Sequence, residues 1–363
     1  MSERAAKLHD SPWQGVLYVT GGGTALLTEL LTQPGASRTV LEARVPYAGQ
    51  ALTELLGRTP DQACSDSTAR ALAMAAFQRA SALRAADHNA TETATFGLAC
   101  TASLATDRVK RGTHRAHIAL QTLEATYTAE VALGGTRQEE EEELVECLWH
   151  AISLTLRLKL DDLPMRDLVM RQTQAQRHWR SLILGETLVH PSAANEGSLL
   201  FPGAFNPLHH AHERMLAIAE EKTGLAGAFE LSLLNVDKPL LDYTEIDSRL
   251  KQFTRPVWLT RLPTFIEKAR QFPGTTFVVG VDTLIRIVEP RYYGGSAAAR
   301  DEALAELAEL GTRFVVFGRR LDSRFVTLKD LALPPGLAAR CIEVTQDEFD
   351  EPVSSTELRQ RRP

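Results

Sequence analysis

The stretch Leu199-Leu-Phe-Pro-Gly-Ala-Phe-Asn-Pro-Leu-His-His-Ala-His212 decides how the second half of the chain is interpreted. Its first residues are apolar and predict a short strand, and Gly203 follows in a turn. Pro207 suits the first position of a helix, because its fixed φ matches the helix and its missing N–H would be unpaired there. The pattern predicts a strand, a glycine turn and a helix that carries His209 and His212 on one face of its first turn.

The start of this predicted helix suits a phosphate. A helix N-terminus has free backbone N–H groups and the positive end of the helix dipole, so it favours an anion. Gly203 lacks a Cβ and lets a polyphosphate approach the end of the strand, while His209 and His212 add side-chain donors. A lone pair of histidines with this spacing is most often two unrelated side chains, so the prediction depends on the whole stretch.

Two strings of the second half resemble one family. The string Gly203-x-Phe-Asn-Pro-x-His-x-x-His212 resembles the nucleotide-binding signature of the HIGH-type nucleotidylyltransferase superfamily, most closely its nicotinamide mononucleotide adenylyltransferase branch. The string Val353-Ser-Ser-Thr-Glu-Leu-Arg359 is similar to the second signature of these enzymes, which holds the β- and γ-phosphates. The two lie about 150 residues apart and flank Thr276-Phe-Val-Val-Gly-Val-Asp282, which resembles the family's strand-end Gly-x-Asp beside the nucleotide.

The resemblance implies a set of site residues and a Rossmann-like domain with a parallel sheet. Catalytic roles fall to His209, His212 and Arg359. Arg319 follows the apolar run Arg313 to Phe317 and is predicted to contact an anion. Nucleotide binding is assigned to Gly203, Ala204, Phe205, Gly280, Asp282, Arg319, Ser354, Ser355 and Thr356. Mg²⁺ bridging the triphosphate oxygens is the expected cofactor, with few protein ligands and no metal site predicted on the chain itself.

Candidates for the acceptor site follow the next apolar run, Phe229 to Leu234. Ligands of open α/β sheets bind beyond the carboxyl ends of the strands, so Asn235, Asp237 and Lys238 are predicted to bind substrate, with Lys238 as a phosphate partner. A polar turn is the alternative for each of them. Trp258 is a candidate stacking surface for a heteroaromatic ring, with filling of the core as its alternative.

The implied reaction is transfer of a nucleotidyl group. A phosphate oxygen of the acceptor attacks the α-phosphorus of a nucleoside triphosphate and pyrophosphate leaves, so catalysis depends on positioning and charge neutralisation. We expect ATP and nicotinamide or nicotinate mononucleotide as substrates, which would place the enzyme in NAD biosynthesis. The segment after Leu234 does not closely match the expected acceptor loops. A cytidylyltransferase for a phosphorylated alcohol or sugar, and a non-catalytic nucleotide-binding sensor or scaffold, therefore stay open.

The first half of the chain alternates strand-like and helical segments, which predicts an α/β sandwich. Four of its segments resemble, in order, blocks of the CinA C-terminal domain family, over roughly residues 13 to 155. Members of that family include nicotinamide-nucleotide amidases, which use a serine, a tyrosine and a lysine. The segments are Thr20-Gly-Gly-Gly23, Pro34-Gly-Ala-Ser-Arg38, Pro46-Tyr47 with Leu55-Leu-Gly57, and Gly97-Leu-Ala-Cys-Thr-Ala102.

The amidase residues themselves are largely missing. Tyr47 matches the family's tyrosine, but the run Tyr18 to Gly23 contains no serine and Leu52 stands where the lysine is expected. We therefore expect the domain to have lost the amidase chemistry, with Thr20 or Thr24 as an alternative nucleophile. Its glycine loop is expected to bind a nucleotide or phosphate, or the domain to mediate formation of a homo-oligomer.

The join between the halves is polar. Arg137 and the acidic run after it predict the start of a long helix that continues to Leu158. A second, polar helix is predicted from Met165 to Leu184, and Pro191 to Ser198 has the composition of a linker. The resulting domains are a CinA-like domain at 1–160, a helical segment and linker at 161–197, and a nucleotidylyltransferase domain at 198–363.

Composition excludes several classes of function. A length of 363 residues suggests two domains, and a net charge of -6 argues against a protein whose main role is to bind nucleic acid. The 4 cysteines lack the spacing of a zinc site or a disulfide framework. Neither a signal peptide nor an apolar run of membrane-spanning length is evident, so we expect a cytoplasmic protein without a membrane partner.

Overall fold

Two compact units make up the chain in the computed structural model. It describes residues 3–86, 94–107, 112–160, 163–164, 168–235, 238–321, 324–351 and 358. The first unit consists of Met1–Arg180 with Asp237–Ile246, and the second of Ser181–Val236 with Asp247–Pro363. Both are α/β units. Across these described ranges no helix has the length and apolar character needed to cross a membrane.

The first unit contains a mixed sheet with helices on both faces. Its strands are β1 (Trp13–Thr20), β2 (Val40–Arg44), β3 (Ala94–Ser103), β4 (Arg115–Thr122), β5 (Ala125–Ala132) and β6 (Arg171–Gln174), in the order β2-β1-β3-β4-β5-β6. Its helices are α1 (Glu3–His9), α2 (Thr24–Thr32), α3 (Gly49–Leu56), α4 (Asp66–Ala85) and α5 (Arg137–Leu156). The central strand β1 is parallel to β2 and β3, and the pairs from β3 to β6 are antiparallel.

Alternation along β1 builds the two cores of this sandwich. Val16 and Tyr18 pack with residues of α3 and α4, whereas Leu17 and Val19 pack with residues of α1, α2 and α5. Successive side chains of a strand point to opposite faces, so an apolar strand in the middle of the sheet serves both layers. Gly97 allows α4 to lie close to β3, because a Cβ there would come within 2.1 Å of the carbonyl oxygen of Ala73. The predicted α/β sandwich is confirmed.

A distant segment of the chain completes the first unit. The carboxylate of Asp242 accepts from Nη1 of Arg70 at 2.6 and 2.8 Å, and both side chains are buried. Tyr243 stacks on Trp179 with ring centroids 6.0 Å apart, and its hydroxyl donates to the carbonyl oxygen of Leu123 at 2.8 Å. A buried arginine needs a paired carboxylate, so this unit depends on residues beyond position 237.

The polar helix predicted from Met165 to Leu184 is not what the described residues form. Residues 171–174 are the edge strand β6, followed by α6 (Arg177–Leu184), while 165–167 lie outside the described residues. The predicted linker also begins inside a strand, β7 (Val189–Pro191). Strand β6 lies at the edge of the sheet, and three of its four residues are exposed. Its sequence is polar throughout and therefore lacks the alternation of apolar and polar residues that would predict a strand.

The second unit contains a sheet in the order β15-β12-β11-β8-β9-β10-β7. All described pairs are parallel except β10 with β7. Its further strands are β8 (Leu199–Pro202), β9 (Gly227–Ser232), β10 (Val257–Thr260), β11 (Thr276–Gly280), β12 (Arg313–Phe317) and β15 (Cys341–Val344), with β13 (Arg319–Leu321) and β14 (Arg324–Val326) forming a separate hairpin. The helices are α7 (His210–Thr223), α9 (Phe265–Gln271), α10 (Val281–Val288), α11 (Ala297–Glu309) and α12 (Pro335–Ala338). Helix α8 (Tyr243–Leu250) belongs to the first unit up to Ile246 and to the second unit from Asp247.

The strand order identifies a doubly wound sheet. Starting from β8, the chain builds outward through β9 and β10, then crosses to the other side of β8 and continues with β11, β12 and β15. The direction therefore reverses between β8 and β11, which pair in parallel. In open α/β sheets this switch point is where a crevice forms beyond the carboxyl ends of the strands. The predicted Rossmann-like fold with a parallel sheet agrees with this topology.

Candidate functional site

The segments that leave four parallel strands converge at one edge of the second sheet. The Asp282 carboxylate after β11 lies 3.3 Å from Nη1 of Arg319 after β12. Arg320 pairs with Asp350 after β15 at 2.6 Å, and Glu351 lies 2.7 Å from Nε2 of His210 at the start of α7. Two ion pairs and this histidine–carboxylate contact thus connect the segments after β8, β11, β12 and β15. The candidate site lies at this edge.

Helix α7 starts later than predicted. It begins at His210 with His209 as the N-cap residue, whereas Pro207 lies in the preceding turn and not at the first helical position. The reason is the conformation of the residues between strand and helix: Phe205 has a φ of 46° and residues 206 and 207 form a turn, so the chain becomes helical only after them. His209 therefore caps the helix, and His212 is the third residue of its first turn.

The structure brings His209 and His212 together. Their rings stack with centroids 3.7 Å apart at 22°, and the backbone N–H of His209 donates to Nδ1 of His212 at 3.3 Å. Because Nδ1 of His212 accepts, its proton is assigned to Nε2, which is then a donor. Burial, with a smaller contribution from the neighbouring His209, lowers the pKa of His212 to about 3. Burial also lowers the pKa of His209, so the pair is neutral near pH 7.

The loop of residues 203–209, here called the histidine loop, holds Gly203, Ala204 and Phe205 in defined positions. The ring of Phe205 is buried and packs against Phe229 and the ring of His212. A Cβ on Gly203 would lie 2.5 Å from that ring, so this glycine makes room for Phe205. Gly203 was predicted to admit a polyphosphate, and its observed neighbour is an aromatic side chain.

Gly280 and Asp282 occupy the start of the helix that follows β11. Gly280 is the N-cap residue of α10 and Asp282 lies in its first turn, so the predicted strand ends two residues earlier than Asp282. The Asp282 side chain is about one-third exposed and its partner Arg319 is half exposed. Asp282 and Arg319, which were both predicted to bind the nucleotide, therefore lie at the edge described above. The exposed atoms of each side chain can still contact a ligand.

The second predicted signature lies outside the described residues. This applies to Ser354, Ser355, Thr356 and Arg359. The residue just before this region, Glu351, is described, and its carboxylate also lies 2.7 Å from Nη1 of Arg214 on α7. Sequence reasoning missed Glu351, Arg214 and His210, and a pairing between residues 137 positions apart leaves no local pattern that would reveal it.

The predicted acceptor residues have different surroundings. Asn235 follows β9, Asp237 lies outside the described residues, and Lys238 belongs to the first unit. Trp258 lies on β10, packs edge-on against Phe272 with centroids 4.9 Å apart, and donates from its indole N–H to Oδ1 of Asn195 at 3.2 Å. These contacts are those of a side chain packed at the edge of the hydrophobic core. They favour core filling, the alternative given for Trp258, over a stacking surface for a ligand.

Metal binding by the chain has little support among the described residues. They contain no group of three or more His, Cys, Asp or Glu side chains that could hold an ion. The carboxylate of Asp282, at the edge described above, is already paired with Arg319. A Mg²⁺ ion held mainly by triphosphate oxygens needs few ligands from the chain, and this expected cofactor stays a prediction.

The glycine loop of the first unit is filled by the chain itself. The carboxylate of Glu141 on α5 accepts from the backbone N–H of Gly23 at 2.8 Å and of Ala25 at 3.0 Å, and from the hydroxyl of Thr24 at 3.1 Å. The carboxylate of Glu141 at the N-terminus of α2 is negatively charged, as is the phosphate that was predicted to bind there. The described structure thus places an internal anion at this position.

The residues compared with the amidase site lie close to this loop but make other contacts. Tyr47 is 65% exposed, and its hydroxyl accepts from Nη2 of Arg137 at 3.4 Å. Leu52 is buried in the core under α3, and the hydroxyl of Thr20 donates to the carbonyl oxygen of Pro46 at 3.0 Å. The Thr24 hydroxyl is bound to Glu141, as described above. Within the part of the chain that the structure describes, neither threonine hydroxyl is hydrogen-bonded to a histidine or lysine that could act as its base.

A groove in the first unit was not predicted. It has a volume of about 390 Å³, a size in the range of small-molecule sites. Burial raises the pKa of Tyr18 in its wall to about 12. The guanidinium groups of Arg44 and Arg79 both pair with the carboxylate of Glu42, at 2.7 and 2.9 Å. The groove is lined by Tyr18, Arg44, Leu55, Ala75, Gln78, Arg79 and Pro239.

Comparison with known proteins gives similarities for part of the chain. No protein-family model matches it, and no curated protein matches it. It is similar to the solved structure of competence/damage inducible protein CihA from Agrobacterium tumefaciens, with 20% identity over 43% of this chain and 93% of that chain, at a TM-score of 0.34. A competence or damage-inducible protein from Enterobacter asburiae is 17% identical over 42% of this chain and 92% of that chain, at a TM-score of 0.32. A CinA superfamily protein from Escherichia coli is 19% identical over 40% and 80%, at a TM-score of 0.30.

Proposed function

We propose that the second unit is a nucleotidyltransferase. It transfers a nucleotidyl group from a nucleoside triphosphate, with ATP favoured, to nicotinamide or nicotinate mononucleotide and releases pyrophosphate. The observation that carries the proposal is the placement of the stacked pair His209 and His212 at the switch point of a doubly wound sheet. The order of strands supports it further, because Gly280 and Asp282 follow the strand next to the one that leads into the histidine loop.

In this proposal the protein positions phosphates and neutralises charge. The neutral His212 donates from Nε2 to a phosphate oxygen, since its Nδ1 already accepts from His209. Arg319 stabilises the charge that builds up on the leaving pyrophosphate, together with Arg359 of the second signature. The acceptor phosphate attacks in line, so no covalent protein intermediate is needed. Mg²⁺ carried by the triphosphate supplies further charge neutralisation when bound.

The experiment that tests the function is a substrate matrix. Pyrophosphate release is measured with Mg²⁺ and either ATP or CTP, each with nicotinamide mononucleotide, nicotinate mononucleotide or a phosphorylated alcohol or sugar. Release with ATP and a pyridine mononucleotide is the expected result. Release only with CTP and a phosphorylated alcohol would assign the second candidate, a cytidylyltransferase. Binding of triphosphate without release from any acceptor would overturn transfer in favour of a sensor.

For the first unit we propose a CinA-like domain without amidase activity. Its support is the order of the sequence blocks and the internal Glu141 at the start of α2. A scaffold role, including assembly of a homo-oligomer, fits a domain whose glycine loop is already filled. The measurement is ammonia release from nicotinamide mononucleotide by the full chain, which we expect to stay at the background rate.

A further inference from the structure

The histidine loop is held by side chains from one short stretch of the second unit. Nη1 of Arg249 donates to the carbonyl oxygen of Ala204 at 2.8 Å. The side-chain amide of Gln252 contacts the loop twice: Oε1 accepts from the N–H of Leu208 at 2.9 Å, and Nε2 donates to the carbonyl oxygen of Phe205 at 3.4 Å. A loop without regular secondary structure must find other partners for its backbone groups, and here Arg249 and Gln252 provide them. We call Arg249, Gln252 and Phe253 the brace.

The brace also supports a backbone conformation that is rare for an L-residue. Phe205 has a φ of 46°, in the left-handed region, and its ring is 2% exposed. The ring packs edge-on against Phe253 of the brace with centroids 5.3 Å apart, and against Phe229 at 5.1 Å. A strained residue persists only where its surroundings determine it, and such residues cluster at functional sites. The contacts of Phe253 and Gln252 hold this residue from its side chain and from its carbonyl group.

The loop ends at the histidine pair. Leu208, whose N–H is bound by Gln252, directly precedes His209, and the N–H of His209 donates to Nδ1 of His212. A change in the backbone at Leu208 therefore alters the hydrogen bond that fixes which nitrogen of His212 carries the proton. Gln252 affects the reacting groups only through the loop, so it can position them without contacting substrate.

We propose that Gln252 is a positioning residue for the His209–His212 pair, and this inference rests on the proposed function. It sets the path of the histidine loop so that His212 keeps a single tautomer, with Nε2 as the donor. The neighbouring Lys251 offers a matched control, because its side chain is exposed and pairs with Asp247 one helical turn away.

The experiment compares Gln252→Ala, Gln252→Glu and the control Lys251→Ala in the full chain. For Gln252→Ala we expect kcat of pyrophosphate release to fall roughly 10- to 100-fold with little change in KM for the triphosphate, because a small misplacement of a catalytic group has an effect of this order. Gln252→Glu keeps the acceptor for Leu208 and should retain more activity than Gln252→Ala. Lys251→Ala should match the wild type. A fall in thermal stability with kcat unchanged would overturn the proposal.

A spectroscopic readout separates this inference from the proposed function. Nitrogen NMR of the histidine rings reports the tautomer of His212 without any substrate. We expect one tautomer in the wild type and in Lys251→Ala, and a mixture in Gln252→Ala; an unchanged tautomer in Gln252→Ala would overturn the positioning role even if the enzyme transfers nucleotides. If the wild type transfers nothing, this measurement still decides the inference. If Gln252→Ala does not fold, Arg249→Met tests the same brace through Ala204, with the same two outcomes.

Discussion

Two connections in this molecule share one local design and differ in what lies at the start of the helix. In the first unit β1 leads through Gly21 to Gly23 into α2, and the first-turn amides donate to Glu141. In the second unit β8 leads through the histidine loop into α7, and the helix begins at a stacked pair of neutral histidines. The comparison shows that a strand, a glycine and a helix do not by themselves make an anion site. At the start of α2, a carboxylate from another helix accepts from the amides that an anion would otherwise contact.

Removing a histidine should separate the two connections most clearly. His212→Ala deletes the donor of the second connection, so pyrophosphate release should fall by about 100- to 1000-fold, as when one preorganised donor is lost. Circular dichroism should show the fold intact. The matched control is His150→Ala, whose ring lies in the first unit and contacts the carbonyl oxygen of Pro164. Wild-type rates in His212→Ala would remove the proposed mechanism.

Removing the Glu141 carboxylate from the start of α2 tests the comparison in the first unit. Glu141→Ala leaves two backbone N–H groups without their acceptor, which should lower the free energy of unfolding by about 2 kcal/mol. Chemical denaturation measures the loss. Added acetate, which replaces the missing carboxylate, should restore part of it. The control is Glu142→Ala, because that carboxylate accepts from Gln138 on the exposed side of α5. Equal losses in both variants would contradict a specific role of Glu141.

The pH dependence of stability sharpens the comparison at the second connection. The folded-state pKa of His212 is about 3, below the value of 6.5 for an unperturbed histidine. The unfolded chain therefore binds this proton more tightly than the folded chain does. Protonation of His212 costs no free energy of unfolding above pH 6.5, and the free energy of unfolding falls as the pH drops from 6.5 toward 3. The slope from this residue is up to about 1.4 kcal/mol per pH unit. His212→Asn keeps an acceptor for His209 but does not titrate, so its unfolding free energy should fall less steeply; parallel curves would refute this.

The smallest effect is expected at the matched amidase residue. Tyr47 is mostly exposed, and its hydroxyl accepts a long hydrogen bond of 3.4 Å from Arg137. Tyr47→Phe should change the free energy of unfolding by less than about 0.5 kcal/mol, as is usual for surface positions. Ammonia release from nicotinamide mononucleotide should remain at background in both forms. A measurable amidase rate that disappears in Tyr47→Phe would show that the first unit has kept its chemistry.

Local pattern was sufficient for much of the fold. The apolar runs of β11 and β12 and the helix signals of α5 are visible within short windows, and the structure has these elements within two residues of their predicted bounds. The polar edge strand β6 was missed, because nothing in its four residues alternates. Helix α7 was placed too early, because Pro207 carries a start signal that the unusual φ of Phe205 overrides.

The candidate site was less accessible from the sequence than the fold. Local reading singled out His209 and His212, since they belong to one string, but not their mutual hydrogen bond or their neutral state. Glu141 was interpreted as one of several carboxylates that stabilise their own helix. Its partners lie 116 to 118 residues away, and contacts at that range are set by the packing of α2 and α5. The contacts of Gln252 with the histidine loop span 44 residues and were missed for the same reason.

The discontinuity of the first unit has a consequence for how the protein is made. Arg70 lies deep in this unit, and its partner Asp242 is 172 residues further along the chain. When residue 180 leaves the ribosome, Asp242 and Tyr243, the partners of Arg70 and Trp179, have not yet been synthesised. The first unit therefore stays incomplete while the first strands of the second sheet are made. Contacts between such distant residues form late and slowly. A chain cut after Arg180 would thus be an unfinished fragment, with a buried cation lacking its main counter-charge.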